Sequence, residues 1–377
     1  MNKASKPVAG FSADTEILTR TQGWVRFDQI TAFDEVATRT PDGEFRWEHP
    51  ERVIWQPYAG DMVWFHSRTA DMLAAPAQRI LYRKRERVYV AGKLRESVPT
   101  ERAGAAADFP GSRVALIATS CWEPRVSVDR ITLAPKPVRS DGKRNVGKPP
   151  LKFAASTSDF AAFMGMYLSE GYLGSSNRPG EYPINISQSP KGKGFGPYQE
   201  RLDHMLGRPV PWLRPGSGVF RFANKALYEF LKTCGGYAWT KRIPCEVLEL
   251  GPEDLETFWH FAWLGDGSMM SSAGRKDIEV MQTTSKDMAD SFQEILQKLG
   301  TWSKIHRVAP SALNGNVDGR PIKARHTLFR LVRRAGDVAF ATYVERVPYC
   351  GQIGCVSVSA PAVYVRRNDH PVWAGSA

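Results

Sequence analysis

The sequence predicts an α+β multidomain chain, and three observations carry that reading. Short strand-like runs separated by turn signals fill residues 10 to about 130 and return from Val344 onward. Between them lie two apolar runs of helical length, Phe163-Met-Gly-Met-Tyr-Leu-Ser-Glu170-Gly171 and Trp259-His-Phe-Ala-Trp-Leu-Gly-Asp266-Gly267. Each ends in an acid followed by a glycine that can stop the helix. A basic, proline-rich stretch separates the first strand-like text from the first of these helices.

Taken in order, residues 1–9 are an N-terminal extension without a signal-peptide core. Over 10–130, runs such as Glu16-Ile-Leu-Thr, Trp24-Val-Arg-Phe, Glu35-Val-Ala-Thr and Met62-Val-Trp-Phe-His alternate with turn signals such as Gln22-Gly23 and Pro41-Asp-Gly43. Residues 131–152 read as a semi-rigid linker. From 134 to 152 this stretch carries six basic residues, one acid and four prolines, a composition that could also follow a phosphate backbone. Residues 153–343 hold the two acid-ending helices as two pseudo-repeats. After the second comes Thr283-Thr-Ser-Lys-Asp-Met-Ala-Asp-Ser-Phe-Gln-Glu-Ile-Leu-Gln-Lys-Leu-Gly300, whose apolar Met288, Phe292, Ile295, Leu296 and Leu299 form a helical stripe closed by glycine. From Arg320 to Arg334, basic and apolar residues alternate as in a strand with one wet, basic face. The final segment, 344–377, is strand-like again, with Cys355-Val-Ser-Val-Ser and Ala362-Val-Tyr-Val-Arg.

Composition narrows the function classes. The chain has 377 residues, enough for two or three domains, and its 42% apolar and 24% charged content is that of a globular protein. No apolar run approaches the roughly 20 residues that span a bilayer. Five cysteines, an odd number at irregular spacing, argue against a disulfide framework and fit a reducing compartment; Cys350 and Cys355 are too poorly accompanied for zinc. The expected location is therefore cytoplasmic, associated with the nucleoid when DNA is bound. Lys and Arg exceed Asp and Glu by 51 to 39, a net charge of +12. Such an excess favours a polyanionic partner, because each neutralised phosphate releases a counterion. Two helices packed side by side, each delivering one carboxylate at its end, would suit divalent cations, which bind hard oxygen ligands.

The paired helices and their surroundings resemble the LAGLIDADG homing endonucleases carried by inteins. Thr240-Lys-Arg-Ile-Pro244 stands before the second helix and the Thr-x-Ser helix ending in Leu-Gly follows it, an order that this family shows. The resemblance covers residues 160 to 305. It implies a site-specific double-strand endonuclease that hydrolyses phosphodiester bonds. Glu170 and Asp266 would hold two or more Mg²⁺ ions between the scissile phosphates, and Lys241 would be the basic helper that stabilises the pentacovalent phosphate or orients water. Ser169 stands before the first acid where Gly265 precedes the second, and Gly165 would allow the helices to approach while Phe261 fills the matching place, leaving Ala262 to supply the small surface.

The resemblance further implies a monomer on a long asymmetric duplex target, read by a β-sheet from each half in the major groove. By placement alone, Lys191, Lys193, Arg201, Arg214 and Arg221 in the first half are the candidate DNA contacts. Arg275, Lys276, Lys323, Arg325 and Arg330 are those in the second, with Lys323 also a weaker counterpart of Lys241. Gly192, Gly194 and Gly196 among the lysines read as a mobile loop hugging phosphates.

The two strand-like ends resemble the Hint fold of inteins, in a form seen in phage inteins. Phe11-Ser-Ala-Asp-Thr-Glu-Ile-Leu-Thr is similar to the first intein block. Tyr349-Cys-Gly-Gln-Ile-Gly-Cys-Val-Ser-Val and Val365-Arg-Arg-Asn-Asp-His-Pro-Val-Trp-Ala-Gly are similar to the last two. This implies a β-rich horseshoe closed by both chain ends, with the endonuclease inserted in its middle. The splicing positions depart from the pattern. Gly10 stands where the first nucleophile is expected, Ala75 and Gln78 replace the assisting Thr and His, and Ser376 and Ala377 replace the cyclising Asn and the nucleophile after it. Cys355 matches the internal cysteine of an intein subclass, but its partner positions hold Ile80 and Ala374. A glycine cannot attack a carbonyl and a serine side chain cannot form a succinimide, so splicing is expected to be lost. Two other readings stay open: a protein of this fold that binds DNA or RNA without cutting, and residual autoprocessing through Cys355.

Overall fold

The computed structural model describes all residues except 1–7, 85–86, 91–92, 97–98, 125–127, 135–151, 176–180, 214–217, 272–276 and 318–319. The chain forms two compact units, Met1–Glu123 with Leu296–His306 and Arg333–Ala377, and Pro124–Ile295 with Arg307–Val332. Against the expected boundaries, residues 296–306 and 333–343 group with the first unit. The reason is packing: Trp302, 4% exposed, sits in the core of that unit, the Lys298 ammonium lies 4.1 Å over the Trp122 ring, and strand Val338–Ala341 pairs with Val114–Ile117. Most of the basic, proline-rich stretch falls on 135–151, outside the described residues. Among the described residues no helix is long and apolar enough to cross a membrane, and all five cysteines are free.

The first unit is built of strands from both ends of the chain. Strand Phe11–Ser12 pairs with Ile353 and Gly354 on one side and Ala74 on the other. Strands Arg52–His66 and Tyr343–Ser357 pair along their whole length, from His66 with Tyr343 to Arg52 with Ser357, well beyond the short runs expected from sequence. The hairpin Ala362–Arg367/His370–Gly375 turns on Asn368 and Asp369, both with positive φ, the primed turn that matches strand twist. Its strands lie beside Glu16–Thr19 and Val36–Arg39, and Ala374 pairs with Ile80. Phe11, Phe27, Phe65, Met72, Ile80, Leu116 and Val363 fill the core.

The second unit repeats one motif. Helix α1 (Thr157–Glu170) leads into strands Gly171–Leu173 and Pro183–Ser187, helix α2 (Phe195–Leu206), then Trp212–Leu213 and Val219–Ala223. After α3 (Lys225–Leu231) and the short α4 (Cys245–Leu248) the pattern recurs. Helix α5 (Pro252–Asp266) leads into Gly267–Met270 and Ile278–Thr283, helix α6 (Lys286–Lys298), then Ile305–Val308 and Leu328–Val332. In both sheets the order is first, second, fourth, third strand. Among the described residues the two four-stranded sheets share this strand order, and the second has an added hairpin, Gly315–Val317 with Arg320–Ile322, before its last strand.

Start and stop signals explain the helices. Ser156 caps α1 by accepting from Asp159 N, and Pro252 sits in the first turn of α5 beside the acids Glu253 and Asp254. The helix ends correct the sequence expectation. Gly171 and Gly267 are not left-handed caps; their φ, ψ of −89°, 153° and −93°, 163° are extended, because each opens a strand directly. Glycine is required there for space: a Cβ at Gly171 would fall 2.6 Å from Tyr167 O, and one at Gly267 would fall 2.5 Å from Trp263 O. The basic stretch after Arg320 is likewise two short strands, Arg320–Ile322 and Leu328–Val332, rather than one.

Candidate active site

Helices α1 and α5 pack without room to spare. A Cβ at Gly165 would meet Phe258 O at 2.6 Å and Ala262 N at 2.8 Å, so glycine on one helix lies against backbone of the other. Ala262 is buried, as the small surface on α5 requires. Nearer the helix ends Gly265 plays the same part, since a Cβ there would come within 3.0 Å of the Glu170 side chain. Two glycines and an alanine thus bring the C-terminal ends of both helices, and with them Glu170 and Asp266, to one place.

The electrostatics follow from that placement. Burial pushes the Glu170 carboxyl up, opposed by Lys241. The protein packed around Asp266, and next the charge of Glu170, push its carboxyl up to about 7, opposed by Lys241 and Lys193. Asp266 still opens to solvent, at a depression of about 470 Å³ lined also by Ser169, Gly265, Thr283, Thr284 and Leu328. Carboxylates at the ends of two helices lie where the helix dipoles are negative, so both features call for cations. Among the described residues no group of three or more His, Cys, Asp or Glu gathers anywhere. The fit to a divalent ion therefore rests on two hard carboxylates whose mutual repulsion the ion would relieve, with water completing its shell.

Lys241 does not sit free in the depression. Its Nζ is buried and donates to Tyr167 O at 3.0 Å, Leu168 O at 3.0 Å and Gly171 O at 2.9 Å, using all three of its protons on the end of α1. Burial pushes its ammonium down to about 8, opposed by Asp266 and then Glu170. Ser285 Oγ in turn donates to Lys241 O at 2.5 Å, joining the Lys-x-Ile-Pro element to the start of α6.

Its counterpart on the other helix is Lys193, which sequence placed only among DNA contacts. Lys193 Nζ donates to Gly267 O at 2.6 Å and lies 3.6 Å above the Trp263 ring, while Lys241 Nζ lies 5.5 Å from the Tyr167 ring. Tyr167 and Trp263 hold the same place, one turn before each acid. No spacing in the sequence marks this pairing, because Lys193 arrives from a turn before α2. That turn is not a free loop: Gly194 is the cap residue of α2 and Gly196 lies within the helix.

The remaining candidates divide. Arg201 bonds Asp159 Oδ1 at 3.1 Å and Ser158 Oγ at 3.0 Å, fastening α2 to the start of α1. Arg221 stands opposite Asn185 and Tyr172 on the sheet face away from the helices, since the alternate Ile184, Ile186, Phe220 and Phe222 are core. Arg330 stands opposite Gln282 on the corresponding face of the second sheet, with Phe329 and Leu331 buried on the other side. Lys191, Lys323 and Arg325 are exposed. Arg214, Arg275 and Lys276 lie outside the described residues.

In the first unit the positions aligned with splicing residues also converge. Ala75 N donates to Gly10 O at 2.8 Å, Gln78 Nε2 donates to Gly375 O at 2.6 Å, and Ala377 N donates to Val356 O at 3.0 Å. Ser376 N donates to Pro361 O and its hydroxyl to Ala360 O. Cys355 Sγ lies 3.7 Å from Gln78 Oε1, fully buried, and burial pushes its thiol up to about 12.

No protein-family model matches the chain. Among curated proteins it is similar to an ATP-dependent Clp protease proteolytic subunit of Chlamydomonas moewusii, 21% identical over 85% of this chain and 31% of that protein. It is also similar to an uncharacterized protein of Methanocaldococcus jannaschii, 26% identical over 40% of this chain and 18% of that protein. The chain thus spans less than a third of the length of these relatives. Similar solved structures include the homing endonuclease I-DmoI, at TM-score 0.34 and 12% identity, over 47% of this chain and 89% of that one. They also include the homing endonuclease I-WcaI bound to its DNA recognition sequence, at TM-score 0.30 and 12% identity, over 51% and 84%. A class 3 split intein aligns at TM-score 0.21 and 21% identity, over 29% and 62%. Likeness at this level does not fix an activity, and the functional reading rests on the site itself.

Proposed function

We propose that this chain is a DNA endonuclease that hydrolyses phosphodiester bonds of a long duplex target as a monomer, on an intein-like β unit that no longer splices. The observation that carries the reading is the meeting of Glu170 and Asp266 at the ends of two helices held together by Gly165, Ala262 and Gly265. Glu170 and Asp266 would hold Mg²⁺, which supplies charge neutralisation at the scissile phosphate and an activated water. Lys241 and Lys193 are positioning residues: each fixes the helix end that carries one acid. Arg221 and Arg330, on the outer faces of the two sheets, would lie toward the duplex.

A pair of near-isosteric variants tests this. Glu170→Gln and Asp266→Asn should each abolish Mg²⁺-dependent cleavage of a DNA library while leaving affinity in Ca²⁺ near that of the parent. Cleavage at the parent rate by both variants would remove the mechanism.

A further inference from the structure

Beside the depression at Asp266 three rings form a parallel stack. Tyr237 and Trp239 lie 4.8 Å apart between centroids at 4°, and Trp239 and His326 lie 4.2 Å apart at 13°. Tyr237 is 65% exposed and Trp239 44%, so the stack stands in solvent with Tyr237 as its most exposed ring. Large rings usually bury most of their area, and this stack keeps much of it in water. Here the backbone prevents collapse. Tyr237 N donates to Thr240 Oγ1 at 3.0 Å, and Thr240 N and Lys241 N both donate back to Tyr237 O, which ties both ends of the turn together. Gly235, at φ +92°, has Thr240 backbone so close that no side chain fits. Lys241, next to this turn, is itself clamped on α1.

The stack is continuous with the proposed site. Ala238, between the two aromatic residues, and Leu328, two residues beyond His326, line the same depression as Asp266. Exposed Lys323 and Arg325 flank His326 and supply cations for a neighbouring phosphate. A rigid aromatic face with flanking cations is the chemistry that takes a nucleobase by stacking, independent of its sequence.

We propose that Tyr237, Trp239 and His326 form a platform for one unpaired nucleobase of the DNA strand entering the Asp266 depression. The proposal rests on the DNA-cleaving reading and adds to it a base that leaves the duplex stack at the rim of the site. Its occupant is a base and not an apolar protein segment, because the cations beside His326 and the depression that holds Asp266 adjoin the same stack.

The test uses the full chain in Ca²⁺ with two labelled probes of one sequence, a fully paired duplex and the same duplex with a single bulged thymidine, read by fluorescence anisotropy. The parent should prefer the bulged probe by about 5- to 150-fold, the range that stacking one base supplies. Tyr237→Ala should lose that preference and Tyr237→Phe keep it, with an unchanged salt slope in all three, since stacking releases no counterions. Equal affinity of the parent for both probes, a preference that survives Tyr237→Ala, or a changed salt slope in that variant would overturn the platform while leaving the endonuclease reading intact. No binding of the parent to either probe would overturn both.

Discussion

Lys193 donates to the carbonyl of Gly267 at 2.6 Å, the residue that follows Asp266, and Lys241 makes the matching bond to Gly171 after Glu170. The two lysines come from unrelated positions in the chain, yet each closes one helix against its own dipole. Lys241→Met should therefore remove three buried bonds from a charged donor, at Tyr167 O, Leu168 O and Gly171 O, although Tyr167 O keeps the Gly171 N–H. Losing such bonds costs about 1–3 kcal/mol, and a loss of that size lowers the melting temperature by roughly 2–12 °C in a unit of this length. Lys193→Met removes one exposed bond and the cation's contact with the Trp263 ring, and should cost about 1 kcal/mol or less. Thermal unfolding of the two variants checks the order, and equal losses would contradict it.

Gly165 sets the distance between the helices. Gly165→Ala places a methyl group 2.6 Å from Phe258 O, and backbone cannot rotate away as a side chain can. The expected cost is about 1–3 kcal/mol, the range for overpacking, with a loss of cleavage larger than the loss of stability because both acids ride on these helices. Gly196→Ala, which lies in the first turn of α2 and meets nothing within 4 Å, is the control: it should leave cleavage unchanged and hold or raise stability, by up to about 1 kcal/mol.

The two helices and the acids at their ends were legible in the sequence, and the reasons are physical. An apolar run that ends in acid and glycine reports a helix, its burial and its last residue together, so Glu170 and Asp266 could be named before any coordinates. The repeat of helix, two strands, helix, two strands was legible only in part, because the strands are short and one face of each is polar. What local text cannot carry is the approach of distant segments. Lys193 and Trp263, Arg201 and Asp159, and the stack of Tyr237, Trp239 and His326 are contacts across loops with no periodic signal. The compact-unit boundaries failed to follow the text for the same reason: Trp302 is an unremarkable residue until the core it fills is seen.

The acids should make stability depend on pH and on metal together. The Asp266 carboxyl is raised to about 7 from an ordinary carboxylate value, so the folded state binds its proton more tightly than the unfolded chain. The stabilising contribution is complete below about pH 4 and is lost as the pH rises through about 7. The metal-free protein should therefore lose stability between about pH 4 and 7 by this group, and millimolar Mg²⁺ should restore it most strongly at and above the upper end. Asp266→Asn should flatten the pH dependence over that window and remove most of the metal effect. Melting curves with chelator and with Mg²⁺ measure both, and a parent curve unaffected by Mg²⁺ at pH 8 would contradict the metal site.

Self-processing tests the other unit. Gly10 has no side chain to attack with, and Gln78, whose amide donates to Gly375 O, cannot shuttle a proton as an imidazole does. Cys355 keeps a sulfur near both chain ends, but its thiol is pushed up to about 12 and so is almost wholly protonated at neutral pH. A thiol in that state is a poor nucleophile, and the oxygens it faces, Gln78 Oε1 and Val356 O, are amide oxygens that accept its hydrogen bond without taking the proton. With residues 10–376 placed between two foreign domains, the precursor should remain at full mass. Gln78→His restores a base without restoring a nucleophile at position 10, and should change nothing. Ligated flanking domains in the mass spectrum of the parent precursor would contradict this, and their absence after Cys355→Ala would assign the reaction to that thiol.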